Sequence, residues 1–188
     1  MRTVLPVAVR MLAGLSLLTG LAYPLLVTVL AHGLFPGRAG GSLLRRDGQV
    51  VGSALLAQRT VSPRYIWPRP SAVDFATVPS GASHGAPTSA ALRQRVEAER
   101  GRLRLAHPGT ATAPVPSELL YTSGSGLDPH LSPAGALFQA GRVAGARGLA
   151  PSQVEALIGR CAVPPQFSLL GEARVNVLQL NMALDELK

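Results

Sequence analysis

One cysteine, one lysine and eight aromatic side chains are all that these 188 residues contain. A lone Cys161 excludes an intrachain disulfide and any metal centre built from several thiolates, and it leaves the redox compartment unread. The only lysine, Lys188, stands at the end of the sequence, so no P-loop can form, because that motif needs a lysine to reach the β- and γ-phosphates. Seventeen of the eighteen basic residues are therefore Arg, a bias that reads as genomic base composition. The net charge of +8 is scattered, and the few aromatics do not interleave with it as base-stacking platforms would. Nucleic acid is excluded as a partner on that ground. Charged residues make up 15% of the chain against about 25% in ordinary globular domains, so part of it is built to avoid water.

That part is easily located. No Lys, Arg, Asp or Glu occurs between Arg10 and Arg38, and "MLAGLSLLTGLAYPLLVTVLAHGLF" fills residues 11–35. A membrane-spanning helix needs roughly 20 apolar residues, whereas a cleavable signal core runs about 7–15, so the length predicts a retained anchor. The expected organisation is a short tail at 1–10, a transmembrane helix at 11–35 and a soluble domain at 36–188. Ser16 and Gly20, four apart, offer small surface to a second helix, and Pro24 opens the backbone ladder in mid-span. Arg2 and Arg10 favour a cytoplasmic N-terminus, while Arg38, Arg45 and Arg46 on the other flank blur the rule.

The remainder reads as a loop-rich α+β domain. Asp47-Gly48 between short apolar runs predicts a hairpin over 42–58 with a type I′ turn. Three prolines within 62–75 forbid both helix and central strand, leaving an extended rigid loop. Thr88 or Ser89 caps a helix whose inner face is Leu92, Val96 and Leu103. Ser132-Pro133 starts a second helix that Gly148 stops, and Ser152 with Glu155 suggests a capping box for a third. The final stretch, "RVNVLQLNMALDEL", is expected to be helical on Val177, Leu180 or Asn181, and Leu184, with a possible strand at its start.

The most unusual segment is "TSGSGLDPHLSP" (122–133). It fails as a nucleophile elbow, because Ser125 has Ser123 rather than Gly two residues before it. Asp128 and His130 are too close in sequence to Ser125 for a Ser-His-Asp relay, whose members converge from separate segments. What remains is a turn: Gly124 and Gly126 supply φ > 0, Asp128 closes an Asx turn, and a helix is launched at Ser132. The rival readings are an anchored hydrolase using Ser125, His130 or Asp128, and an anchored binding module.

Five segments in order, "LTGLAYPLLVT" (18–28), "GSLL" (41–44), "RPSA" (69–72), "SGSGLDPHLSP" (123–133) and "GEARVNVLQLNMALD" (171–185), resemble the C subunit of the Kdp-type potassium-transporting P-type ATPase. The resemblance implies one membrane helix, a mostly extracytoplasmic domain and residence in a bacterial inner membrane. It implies three partners: a channel-like potassium-binding subunit, an ATP-hydrolysing subunit and a very small membrane subunit. It also implies a catalytic-chaperone role that raises affinity for ATP, with no cofactor held by this chain and ATP reached indirectly or through the catalytic subunit. There is no Asp-Lys-Thr-Gly phosphorylation motif and no selectivity filter, so the chain is expected to be noncatalytic and to act through interfaces. The candidate contact residues are Ser16, Gly20, Arg69, Ser71, Ser123, Ser125, Asp128 and His130. The sequence departs from the family at "SGASHGAPT" (80–88), where Ala82, His84, Gly85 and Ala86 differ, at Arg38 and Gly40, and at Ala173, which stands for a proline.

Overall fold

A computed structural model describes residues 4–110 and 113–187; Arg2 of the expected N-terminal tail lies outside the described residues. The chain forms two compact units, residues 1–43 and 44–188.

In the first unit, α1 (Val4–Leu17) and α2 (Tyr23–Leu34) are joined through a π-helical turn, Leu18–Ala22, into one helix spanning Val4–Leu34. Among the described residues it runs from Val4 rather than Met11, because Arg10 is a good helix former and Pro6 falls in the first described turn, where it is tolerated. Its 31 residues reach about 46 Å at 1.5 Å per residue, more than the roughly 30 Å of bilayer hydrocarbon, and none is buried. It is a candidate membrane span. The wide turn has a local cause: Pro24 has no N–H to give the carbonyl one turn back, and the ladder widens just before it. Thr19 and Thr28 each return a hydroxyl to the carbonyl four residues earlier, at 2.7 Å, which satisfies polar atoms within the helix itself. A one-turn helix, α3 (Pro36–Ala39), follows.

Beyond it come β1 (Leu43–Arg46) and β2 (Gln49–Ser53), paired about Asp47 (φ 50°) and Gly48 (φ 80°). Both turn residues are left-handed, as a type I′ hairpin requires. The core of the second unit lies further on. Strands β3 (His130–Leu131), β4 (Ala162–Val163) and β5 (Arg174–Asn176) form an antiparallel sheet ordered β3-β5-β4, with Leu131 opposite Val175 and Ala162 opposite Val175. Around it pack α4 (Ala90–Ala106), α5 (Pro133–Phe138), α6 (Ala140–Arg147), α7 (Pro151–Cys161) and α8 (Val177–Glu186).

Each helix buries the face its periodicity marks: Val96 and Leu103 on α4, Val154, Leu157 and Ile158 on α7, and Val177, Leu180 and Leu184 on α8. Ser89 caps α4 by accepting the Leu92 N–H, and Gly148 ends α6 at φ 70°. The single helix expected from Pro133 to Gly148 is instead two, α5 and α6, broken at Gln139 (φ -94°, ψ -9°), whose side chain bonds the Trp67 backbone. The last segment is both things at once, a three-residue strand and then a helix capped by Asn176. The expected capping box at Ser152 and Glu155 does not form. Pro151 takes the first helical position, so α7 starts earlier, and Gln153 reaches back to the Ala150 N–H at 3.0 Å. Ser152 is already inside the first turn.

The proline-rich loop is extended, and it runs through the core rather than over it. Ile66 is fully buried and Trp67 nearly so. A strand in that place would satisfy its backbone through a ladder; here two side-chain amides do so instead. Asn181 accepts the Ile66 N–H (2.8 Å) and donates to the Ile66 carbonyl (2.9 Å). Gln139 accepts the Trp67 N–H (2.9 Å) and donates to the Trp67 carbonyl (3.0 Å). Arg142 completes the clamp: it lies 3.9 Å over the Trp67 ring and donates to Pro63 O, Tyr65 O, Gln139 Oε1 and His107 Nε2. Burial, and secondarily Arg102, pulls the Arg142 guanidinium down to about 10. Burial likewise lowers His107, whose Nδ1 faces the Leu103 carbonyl at 2.7 Å while its Nε2 accepts from Arg142. That arrangement fixes the neutral Nδ1–H tautomer.

Candidate partner interface

The segment 122–133 is a suture between four stretches of chain. Leu127 O accepts from Ala57 N–H (2.9 Å), Ser125 O from Gly81 N–H (3.0 Å), and Pro129 O from Val177 N–H (2.9 Å). The fourth link is ionic, Arg69 Nη1 to Asp128 Oδ2 at 3.0 Å, with both side chains about a quarter to a third exposed. Asp128 also closes the Asx turn, its Oδ1 accepting the His130 N–H at 3.0 Å. His130 pairs with Asn176 across β3 and β5, and its ring stays partly exposed with Nδ1 3.6 Å from Asp128.

The other expected residues divide into framework and surface. Ser71 Oγ accepts the N–H groups of Val73 and Phe75, bending the chain beneath Gly126. Ser123 is buried, and its carbonyl accepts from Gly126. Ser125 is exposed, and its Oγ accepts the Leu127 N–H at 3.1 Å. With that hydroxyl engaged by the backbone and His130 turned to Asp128, no nucleophile–base pair is assembled here. Ser16 and Gly20 are both exposed in the first unit, but Gly20 lies inside the π turn and Ser16 before it, so the regular four-residue register is interrupted between them.

Only one of the two glycines has the expected conformation. Gly126 sits at φ 69°, and a Cβ there would stand 2.7 Å from the Gly81 carbonyl oxygen; Gly124 has no positive φ and open space around it. Gly126→Ala is expected to cost roughly 2 kcal/mol, from backbone strain and displacement of 71–81, while Gly124→Ala stays within about 0.5 kcal/mol. Denaturant midpoints of the full chain in detergent measure both.

Glu118 is the local residue that pattern reading missed. Its carboxylate accepts from both the Ser132 N–H and the Ser132 hydroxyl, while Ser132 Oγ caps α5 through the Gly135 N–H at 3.1 Å. A Cβ at position 135 would collide with that carboxylate, which explains the glycine. Two open clefts flank the loop and share Asp128. One, of about 480 Å³, is lined by Arg69, Ser123, Gly124 and Ser125. The other, of about 330 Å³, is lined by Glu118, His130, Glu172 and Arg174. The arrangement offers shape and paired charge, with the Ser125 and Ser132 hydroxyl oxygens already accepting from backbone N–H groups.

Comparison with known proteins supplies the name of the group. Residues 5–186 match the family model "KdpC: K+-transporting ATPase, c chain". The chain belongs to the KdpC family. Relatives called potassium-transporting ATPase KdpC subunit are similar along nearly their whole length. The protein of Methylococcus capsulatus (strain Bath) is 50% identical over 184 residues, 96% of each chain. That of Cereibacter sphaeroides (strain KD131) is 52% identical over 185 residues, 98% of each, and that of Sorangium cellulosum 51% over 181 residues, 95% of each. The KdpC match covers the apolar helix and the second unit alike, so the family resemblance carried by the five ordered segments holds across both.

Proposed function

We propose that this chain is the noncatalytic accessory subunit of an ATP-driven potassium import pump, required for assembly or stability of the complex. The observation that carries the reading is near-full-length similarity, at about half of all positions, to proteins whose names place them in a potassium-transporting ATPase. The lack of a phosphorylation motif in the sequence agrees with a subunit that does not itself hydrolyse ATP.

In this reading the helix Val4–Leu34 crosses the bacterial inner membrane once, its N-terminus cytoplasmic and the second unit outside. The partners are the channel-like potassium-binding subunit, the ATP-hydrolysing subunit and a small membrane subunit. Ser16 and Gly20 face helices in the bilayer. The exposed edge of the 122–133 loop, Ser125 and His130, meets a partner, while Arg69, Ser71, Ser123 and Asp128 hold that edge in shape. Any effect on ATP affinity then passes through a conformational equilibrium of the pump, because the nucleotide and the second unit lie on opposite sides of the membrane. Cells carrying the other subunits but lacking this chain should fail to take up potassium at limiting external concentrations and yield no potassium-stimulated ATPase on purification. An intact, fully active complex without the chain would overturn the proposal.

A further inference from the structure

Between Cys161 and Glu172 the chain carries no charge, and there the second unit exposes large apolar side chains at a single tip. Phe167 is 83% exposed, Leu169 82% and Leu170 58%. Normal surfaces scatter such residues singly; three within four positions mark a contact. The tip is also rigid. Phe167 and Ser168 both adopt positive φ, 55° and 59°, and the turn is tied by Gln166 N–H to Leu170 O (2.9 Å), Leu170 N–H to Gln166 O (2.9 Å) and Ser168 N–H to Pro165 O (3.0 Å). Two non-glycine residues held left-handed in succession cost free energy that a disordered or adaptable loop would avoid.

We infer that the tip at 165–170 is a preformed knob that inserts into an uncharged, concave apolar socket on an integral subunit of the pump. The inference rests on the accessory-subunit reading above. Fixed shape is the argument for a protein socket: a turn already locked in its bound form loses little further freedom on docking. A lipid surface asks for no fixed shape, and interfacial segments that bind one carry basic residues among their apolar ones, which this stretch lacks. A second copy of the chain fits poorly too. Three such side chains offer on the order of 400 Å², about half of the roughly 800 Å² per partner in a stable interface. As an anchor at the centre of a larger contact, that area is ample. Along the chain the tip leads directly into Glu172 and Arg174, which line the cleft beside His130.

The test uses the whole pump in mild detergent, with p-benzoylphenylalanine installed at position 167. Illumination is expected to join this chain to another pump subunit. In parallel, the double variant Phe167→Ser/Leu169→Ser should reduce retention of the chain on a tagged ATP-hydrolysing subunit at least tenfold, with its own thermal midpoint unchanged because both side chains face solvent. Leu105→Ser, which removes an 87% exposed leucine from α4, should leave retention as it was. Undiminished retention of the double variant, or an adduct only with phospholipid, only with a second copy, or with nothing, overturns the knob while the pump assignment stands. Failure of the unaltered chain to be retained at all overturns the pump assignment itself, and the knob with it.

Discussion

Asp185→Ala is expected to lower the stability of the chain by roughly 3 kcal/mol, the low end of what removing one partner of a buried ion pair costs. Asp185, near the end of α8, collects three donors from three distant parts of the second unit. Arg147 Nη2 of α6 lies 2.6 Å from Oδ1, Arg46 Nη1 of β1 lies 2.7 Å from Oδ2, and the Tyr65 hydroxyl donates to Oδ2 at 3.0 Å. The Arg147 side chain is only 5% exposed, so without Asp185 a buried guanidinium loses its counter-charge. The loss is not larger because Arg147 keeps two carbonyl partners, Arg64 O at 2.6 Å and Leu184 O at 2.8 Å. Denaturation of the full chain in detergent, followed by Trp67 fluorescence, measures it; a midpoint equal to that of the unaltered chain would contradict the hub role. The same cluster floors a cleft of about 360 Å³ lined by Arg46, Tyr65, Leu178, Met182 and Asp185, which should open when it is broken.

The hub also has a pH signature. Burial alone would raise the Asp185 carboxyl, but hydrogen bonds from Arg147, Arg46 and Tyr65 outweigh it and hold the group below its ordinary value. The unfolded chain therefore takes up this proton first as pH falls. The stabilisation is complete above about pH 4, the ordinary aspartate value, and disappears as pH drops from there through the lower folded value. Asp185→Asn should accordingly show a shallower acid limb below about pH 4 and a pH-independent deficit above it.

What could be read from the sequence was local. Asp47-Gly48, Ser89, Ser132 with Pro133, and Gly148 act on neighbours within four residues, and each is found where its chemistry placed it. Where two local signals competed, the closer one prevailed: Pro151 fixed the start of α7 ahead of Ser152 and Glu155. Gly124 and Gly126 look alike in sequence, and only the approach of the Gly81 carbonyl distinguishes them. Glu118, Gln139, Arg142, Asn181 and Asp185 escaped because each has a deciding partner between 14 and 139 residues away. A polar residue on an apolar helical face gives one usable clue. Asn181 stands among Val177, Leu180 and Leu184, and burial there obliges it to find partners. The matching clue is the Ile66-Trp67 pair inside a proline-rich loop, whose backbone must be satisfied by something other than a ladder.

Those two clues meet in Gln139→Leu, which is expected to cost about 3 kcal/mol. Gln139 is fully buried at the break between α5 and α6, and it serves both the N–H and the carbonyl of Trp67. Leucine fills the volume but leaves two backbone groups dry and unpaired, each worth about 1–3 kcal/mol, against a partial gain from its apolar surface. Arg142 loses an acceptor at 2.8 Å in the same step, in a place where burial already makes its charge expensive to hold. Gln139→Glu separates these effects. It keeps an acceptor for the Trp67 N–H and for Arg142 but has no donor for the Trp67 carbonyl, so its midpoint should fall between those of the other two proteins. The consequence reaches the candidate interface through two residues of chain. Trp67 fixes where Pro68 and Arg69 emerge, and Arg69 holds Asp128. Gln139→Leu should therefore weaken retention by the pump subunits even at temperatures where the chain stays folded, although Gln139 itself, being fully buried, touches no partner. Unchanged retention alongside a lowered midpoint would mean that the Arg69–Asp128 pair does not shape the docking edge.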